Sequence, residues 1–183
     1  MSGDHCCPVW MGYVLASPLR KVFQNPAKVL ESYFSSGMTG LDLGCGLGFF
    51  SLPMARMAGP TGRVIAVDVQ EKMLKTLRKR ADRAGLLERI ETLLSAPEDV
   101  SVSSQVDFAL AMWMVHETPD EGRLFSQVRH CLKPAGRLLV AEPKRHIPIS
   151  RFERTLEKAG DCGLRLVETP RIGLSHAAVM TRA

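Results

Sequence analysis

The run Leu41-Asp42-Leu43-Gly44-Cys45-Gly46-Leu47-Gly48 gathers the residues in this chain best suited to chemistry. Glycines let backbone approach a ligand closely and adopt dihedral angles closed to residues with a Cβ. Three of them in five positions are costly to order, which argues against a turn with no ligand. A helix is predicted from Phe49 to Met57. Its free N–H groups and positive end suit an anionic group. Asp42 places a carboxylate at the end of the preceding strand. Acid and bare backbone side by side fit a ligand carrying both a cationic amine and a carboxylate. A second acid, Asp68, ends the apolar run that begins at Arg63. An acid about 20 residues after such a loop can accept two hydrogen bonds from a ribose diol.

The spacing separates two readings. A dinucleotide loop follows G-x-G-x-x-G/A. Counted from Gly44 the third glycine would fall on Phe49, and counted from Gly46 on Ser51. The pattern here is G-x-G-x-G. With Asp42 in front, it resembles the first motif of the class I S-adenosylmethionine-dependent methyltransferases, over about residues 39–183. That resemblance implies S-adenosylmethionine as cofactor. It implies contacts from Asp42, Leu43, Gly44, Cys45, Gly46 and Gly48 to the methionine end, from Asp68 and Val69 to the ribose, from Ser95 and Ala96 beside the adenine, and from Met112. Ser95 stands where the family often has an acid; Glu98 and Asp99 are the nearby acids that could serve instead. Leu132 to Leu138 is similar to the family's turn into strand five, with Ala135 where glycine is common.

The methyl acceptor is expected after strand four, at Met112-Trp113-Met114-Val115-His116-Glu117, because ligands of such sheets bind beyond the carboxyl ends of the strands. Trp113 and Met114 are expected to line its pocket, with Tyr13 contributed by an N-terminal lid. His116 is the candidate general base. A helix start at Thr118 would lower its pKa and favour the neutral form. The alternative is that His116 packs or caps there. No Asn/Asp-Pro-Pro-aromatic sequence of the base and amide methyltransferases is present, nor an acidic metal cluster after strand four. The expected reaction is therefore metal-independent transfer to O, C or S of a small molecule, with the pattern closest to the quinone-pathway group. An NAD(P)-linked reductase would call for a partner such as a Tyr/Lys pair after strand four. A catalytically silent binding module would have no need of Asp42, Asp68 and the glycines. An RNA methyltransferase would need a positive face continuous with the pocket.

The elements that must position these residues alternate. Short apolar runs at Arg63–Asp68, Ile90–Leu94, Val106–Met112 and 136–141 read as strands, and 165–168 and 176–181 as two closing ones. Helices are predicted over 26–34, 70–84, from Thr118 to about Leu132, and from a capping box at Ser150-Arg-Phe-Glu153 to near Gly160. The βαβ series argues for an α/β fold, a parallel sheet with helices on both faces. The family implies a Rossmann-like three-layer αβα sandwich with seven strands, mostly parallel, the last antiparallel. Residues 1–38 read as an N-terminal extension or lid, and residues 39–183 as the cofactor-binding domain.

Composition agrees with one globular domain: 183 residues, 45% hydrophobic and 23% charged. The net charge of +5 permits acidic partners without requiring them. Lys72, Lys75, Arg78, Lys79, Arg80 and Arg83 read as a solvated helix face, since apolar residues hold the opposite side and Glu71–Lys75 and Arg78–Asp82 are i,i+4 pairs. No nucleic-acid partner is expected. Five cysteines without a C-x-x-C suit a reducing cytoplasm. His5-Cys6-Cys7 has no second ligand pair for a structural zinc. Val9 to Ala16 has no Lys or Arg before it, and no run is long enough to span a bilayer. Oligomeric state and the acceptor's identity stay open.

Overall fold

The computed structural model describes residues 24–97, 99–100 and 102–183. Of the extension or lid expected over residues 1–38, residues 1–23, with Tyr13, Cys6 and Cys7, lie outside them, as does the acid Glu98; residues 24–38 are described, and Leu30 and Phe34 among them are buried in the core.

Seven strands form one sheet: β1 (Thr39–Leu43), β2 (Arg63–Asp68), β3 (Ile90–Leu94), β4 (Val106–Met112), β5 (Leu132–Pro143), β6 (Leu164–Glu168) and β7 (Ser175–Arg182). Their order is β3-β2-β1-β4-β5-β7-β6. The first five pair in parallel. β7 inserts antiparallel between β5 and β6. Thus the last strand is the reversed one, as the family implies.

Among the described residues five α-helices accompany them: α1 (Pro26–Leu30) before β1, then α2 (Ser51–Ala58), α3 (Glu71–Arg83), α4 (Glu121–Cys131) and α5 (Ile149–Asp161) between strands. Side chains alternate across a strand, so each strand feeds two cores. On one face Val64, Ala66, Phe108, Leu110 and Leu139 share a cluster with Leu30, Met54, Leu74 and Leu77 of α1 to α3. On the other, Ile65, Val67, Ala109, Ala111, Leu138 and Val140 pack with Leu124, Phe125, Val128, Phe152 and Ala159 of α4 and α5. Covering both faces is what makes the central strands apolar throughout.

Four helix boundaries differ from expectation. α2 begins at Ser51, not Phe49, with Phe50 as its N-cap. α1 stops at Leu30; the chain then turns so that Phe34, 2% exposed, packs against Phe108. α4 starts two residues late. Its N-cap is Asp120, whose carboxylate accepts the Arg123 N–H at 2.9 Å, while Thr118 closes a preceding 3-10 turn, Val115–Glu117. Asp120 is extended and its oxygen reaches the third helical N–H, the position a cap serves best. α5 has Pro148 as N-cap without a side-chain bond, so Ser150-Arg-Phe-Glu153 forms no capping box. Burial of Phe152, Thr155 and Ala159 sets that helix's phase and leaves Ser150 in solvent.

Candidate cofactor and acceptor site

The carboxyl ends of β1, β2, β3 and β4 lie along one edge of the sheet. Between β1 and β4 the strand order reverses direction, the place where open α/β sheets bind ligands. The chain brings its glycine loop there.

After Leu43 the loop is tied to β2. Cys45 N–H donates to Val67 O at 3.0 Å, and Gly46 N–H donates to Asp68 Oδ2 at 2.8 Å. Gly44, Gly46 and Gly48 all have positive φ, at 63°, 51° and 81°. Their surroundings differ. A Cβ on Gly44 would lie 2.9 Å from Met114 Cβ, and one on Gly48 would lie 2.2 Å from Leu77 Cδ1 of α3. A Cβ on Gly46 would meet nothing within 4 Å. The protein itself thus excludes a side chain at Gly44 and Gly48, while a side chain at Gly46 would enter open space beside Asp68. That opening, with an acid at its edge, fits a ligand with a ribose.

Asp68 is 8% exposed, and its carboxylate accepts backbone N–H groups: Oδ2 from Gly46, Oδ1 from Gln70 at 2.9 Å, and Val69 N–H adds to these. Burial raises its pKa, and the N–H groups of Gln70 and Gly46 oppose that rise. A carboxylate offers about four lone-pair sites, so it retains acceptor capacity for a ligand hydroxyl. Asp42 is more deeply placed, 3% exposed, and accepts the Ser51 hydroxyl at 2.5 Å. Burial, with Asp42 and Asp68 nearby, holds the Cys45 thiol well above its ordinary pKa. Arg80 of α3 donates to the Leu47 carbonyl and braces the loop from outside. Val69 is exposed; Ser95 donates its N–H to Asp68 O at 3.1 Å; Ala96 is exposed and forms a bridge with Asp99.

Beyond β4, Met112 is buried and its sulfur accepts from Gln24 Nε2 at 3.7 Å. Trp113 has φ 60°. This left-handed conformation costs a bulky L-residue about 1–2 kcal/mol. Two bonds hold it: the backbone N–H to Ala141 O at 2.7 Å, and the indole N–H to Ser175 Oγ at 2.9 Å. Gln24 Nε2 also donates to Ser175, at 3.0 Å. Met114, half-buried, folds back over Gly44 and so joins the cofactor loop to the acceptor side.

His116 is placed otherwise than expected. Its Nδ1 bonds Glu142 Oε2, and its Nε2 lies 3.9 Å from Glu117 Oε1. The hydrogen bond to Glu142 raises its pKa, burial and Arg151 oppose the rise, and the charges of Glu142 and Glu117 add to it. The expected lowering is thus overturned. The helix begins after Asp120, not Thr118, and a buried carboxylate in contact outweighs a more distant helix end. Glu142, 1% exposed, escaped the sequence reading, as did Ser175 and Gln24. An acid inside the apolar run Leu138-Leu-Val-Ala-Glu142 was the available signal. Among the described residues no group of three or more His, Cys, Asp or Glu is arranged to hold a metal ion, and no helix is long and apolar enough to cross a membrane.

Comparison with known proteins follows this geometry. Residues 41–136, from the glycine loop to the start of β5, match the methyltransferase domain family. The chain is 31% identical over 127 residues to a demethylmenaquinone methyltransferase of Symbiobacterium thermophilum, covering 69% of this chain and 50% of that one. It is 30% identical over 118 residues to a ubiquinone/menaquinone biosynthesis C-methyltransferase of an Enterobacter species, covering 63% and 47%. The chain spans about half the length of these curated relatives. A solved S-adenosylmethionine-dependent methyltransferase of Aquifex aeolicus superposes with a TM-score of 0.87 at 25% identity, covering 97% of this chain and all of that one. With its glycine loop, its paired acids and its β7 reversed within a parallel sheet, the chain belongs to the methyltransferase domain family, in the class I S-adenosylmethionine-dependent group.

Proposed function

We propose that this chain transfers a methyl group from S-adenosylmethionine to O, C or S of a small-molecule acceptor without a metal. The observation that carries the reading is the open space over Gly46 beside Asp68, at the sheet edge where Trp113 and His116 also gather. The curated relatives name quinone-pathway acceptors, and an acceptor of that chemical type, a hydroxylated aromatic ring, is the one proposed. The cytoplasmic location read from the sequence is part of this proposal.

When bound, the cofactor supplies an activated methyl group on a sulfonium that leaves as a neutral thioether. The residues that would hold it are the loop from Asp42 to Gly48, Asp68 and Val69, with Ser95 and Ala96 at the adenine side and Met112 beneath. The chain's own work is alignment and removal of water, which can supply much of such a rate enhancement. Trp113 and Met114 form the wall between cofactor loop and acceptor. His116 takes the acceptor's proton at Nε2, the nitrogen not bonded to Glu142. The N-terminal extension expected over residues 1–38 is proposed to act, through the part carrying Tyr13, as a lid over the acceptor.

The test is a thermal-shift comparison of S-adenosylmethionine, S-adenosylhomocysteine and NAD, followed by a methylation screen of hydroquinones and phenols read by S-adenosylhomocysteine release. Stabilisation by both sulfur ligands, none by NAD, and turnover with a ring hydroxyl compound are expected. Stabilisation by NAD alone would overturn the reading.

A further inference from the structure

We propose that Glu142 is a positioning residue for proton removal: it fixes His116 as the Nδ1–H tautomer and leaves Nε2 to receive the acceptor's proton. The inference rests on the reading of His116 as the base and deepens it, since it restricts acceptors to those whose attacking atom must lose a proton.

The argument starts from the carboxylate's confinement. Glu142 lies near the end of β5, one residue beyond Ala141, which is in register with Met112 of β4. It is 1% exposed. Burying an ionised carboxylate is expensive unless it is paired and hydrogen-bonded. Its two oxygens are divided between two partners that follow β4. Oε1 accepts the Val115 N–H at 2.9 Å, and Oε2 meets His116 Nδ1. The first bond fixes the carboxylate's plane to the backbone of the 3-10 turn. The second fixes the imidazole's rotation and tautomer, because a carboxylate accepts and so requires a proton on Nδ1. The turn is itself anchored upstream by Trp113, whose left-handed backbone bonds Ala141 on the same strand. β5 therefore holds both ends of the Trp113–His116 segment. A histidine needed only for packing would not call for a buried acid on its inner nitrogen; the outer nitrogen has only Glu117 Oε1 near it, at 3.9 Å, beyond hydrogen-bond reach.

The charged surroundings of the ring come from each neighbouring element. Glu142 sits on β5 and Glu117 on the same turn. Arg151 of α5 is the opposing cation, itself bonded to Glu121 of α4. His176 of β7 is in register with Glu142 and stacks on Phe152. Of these, only Glu142 touches Nδ1.

The test needs no acceptor. Uniformly nitrogen-15-labelled full-length protein, with and without S-adenosylhomocysteine, is titrated while ring nitrogen shifts are followed; the chain has five histidines, and loss of a signal in His116→Gln assigns this one. In wild type the neutral ring should carry its proton on Nδ1. Its pKa should fall in Glu142→Gln, because the adjacent negative charge is lost. A neutral ring protonated on Nε2 in wild type would overturn the proposal without any variant. So would an unchanged pKa in a Glu142→Gln protein that still binds S-adenosylhomocysteine. The base reading is tested apart from this: with an active hydroquinone, wild-type turnover in His116→Gln would refute it while leaving the tautomer result standing.

Discussion

Asp68 shows how one carboxylate serves both loop and ligand. Its oxygens bond Gly46 and Gln70, so Asp68→Ala both removes the expected ribose acceptor and leaves the Gly46 N–H without its partner. Calorimetric titration should show cofactor affinity reduced by about 1.5–3 kcal/mol for each charge-assisted bond lost. Unchanged affinity would assign the acid to the loop alone. His116 carries a pH prediction. Its folded pKa is raised above the unfolded value near ~6.5. The stabilisation it gains from Glu142 is therefore fully present below that unfolded value and is lost as pH rises through the folded pKa. Denaturant melts of wild type and His116→Ala should diverge most at acid pH and converge in alkali; a gap independent of pH would contradict the bond. At this scale the sequence was legible where chemistry is contiguous. Asp42, the three glycines and Asp68 are read from local order. Glu142 and Ser175 were not, because their partners lie 26 and 62 residues away and only the fold brings them together.

Among the elements, most strands were read closely and helix starts poorly; β5 is the exception, running Leu132–Pro143 where 136–141 was expected. An apolar run flanked by polar residues marks β2, β3 and β4 to the residue. A cap is a matter of one side chain reaching one N–H, and Thr118-Pro119-Asp120-Glu121 offers two candidates. The 3-10 turn uses Thr118, which leaves Asp120 for α4. Asp120→Ala should therefore lower stability by about 0.5–2 kcal/mol in chemical denaturation, the range for a lost N-cap. Thr118→Ala should cost clearly less. The reverse order would restore the earlier helix start. The same two-residue difference matters for function, since it separates His116 from the helix end and gives it to Glu142.

At the scale of the whole molecule, two cores on opposite faces of one seven-stranded sheet hold the loop ends of β1, β2 and β4 in a fixed frame. The βαβ rhythm made this architecture legible. The reversed β7 followed from the family resemblance, because periodicity reports which residues are buried and not which way a strand runs. Removing residues 1–16 should leave cofactor affinity intact and depress methyl transfer if that segment covers the acceptor; full activity would show it to be dispensable. The central claim is that the space over Gly46 is a cofactor site. It is tested most directly by the melting temperature of wild type and Gly46→Val with S-adenosylhomocysteine. Ligand at about 100 times its dissociation constant stabilises by about 2.7 kcal/mol, or roughly 5–10 °C for a domain of this size. Wild type should show that shift and NAD should not produce it. Gly46→Val should melt lower from its strained backbone and show no ligand shift. An equal shift in both proteins would place the ligand elsewhere and contradict the account.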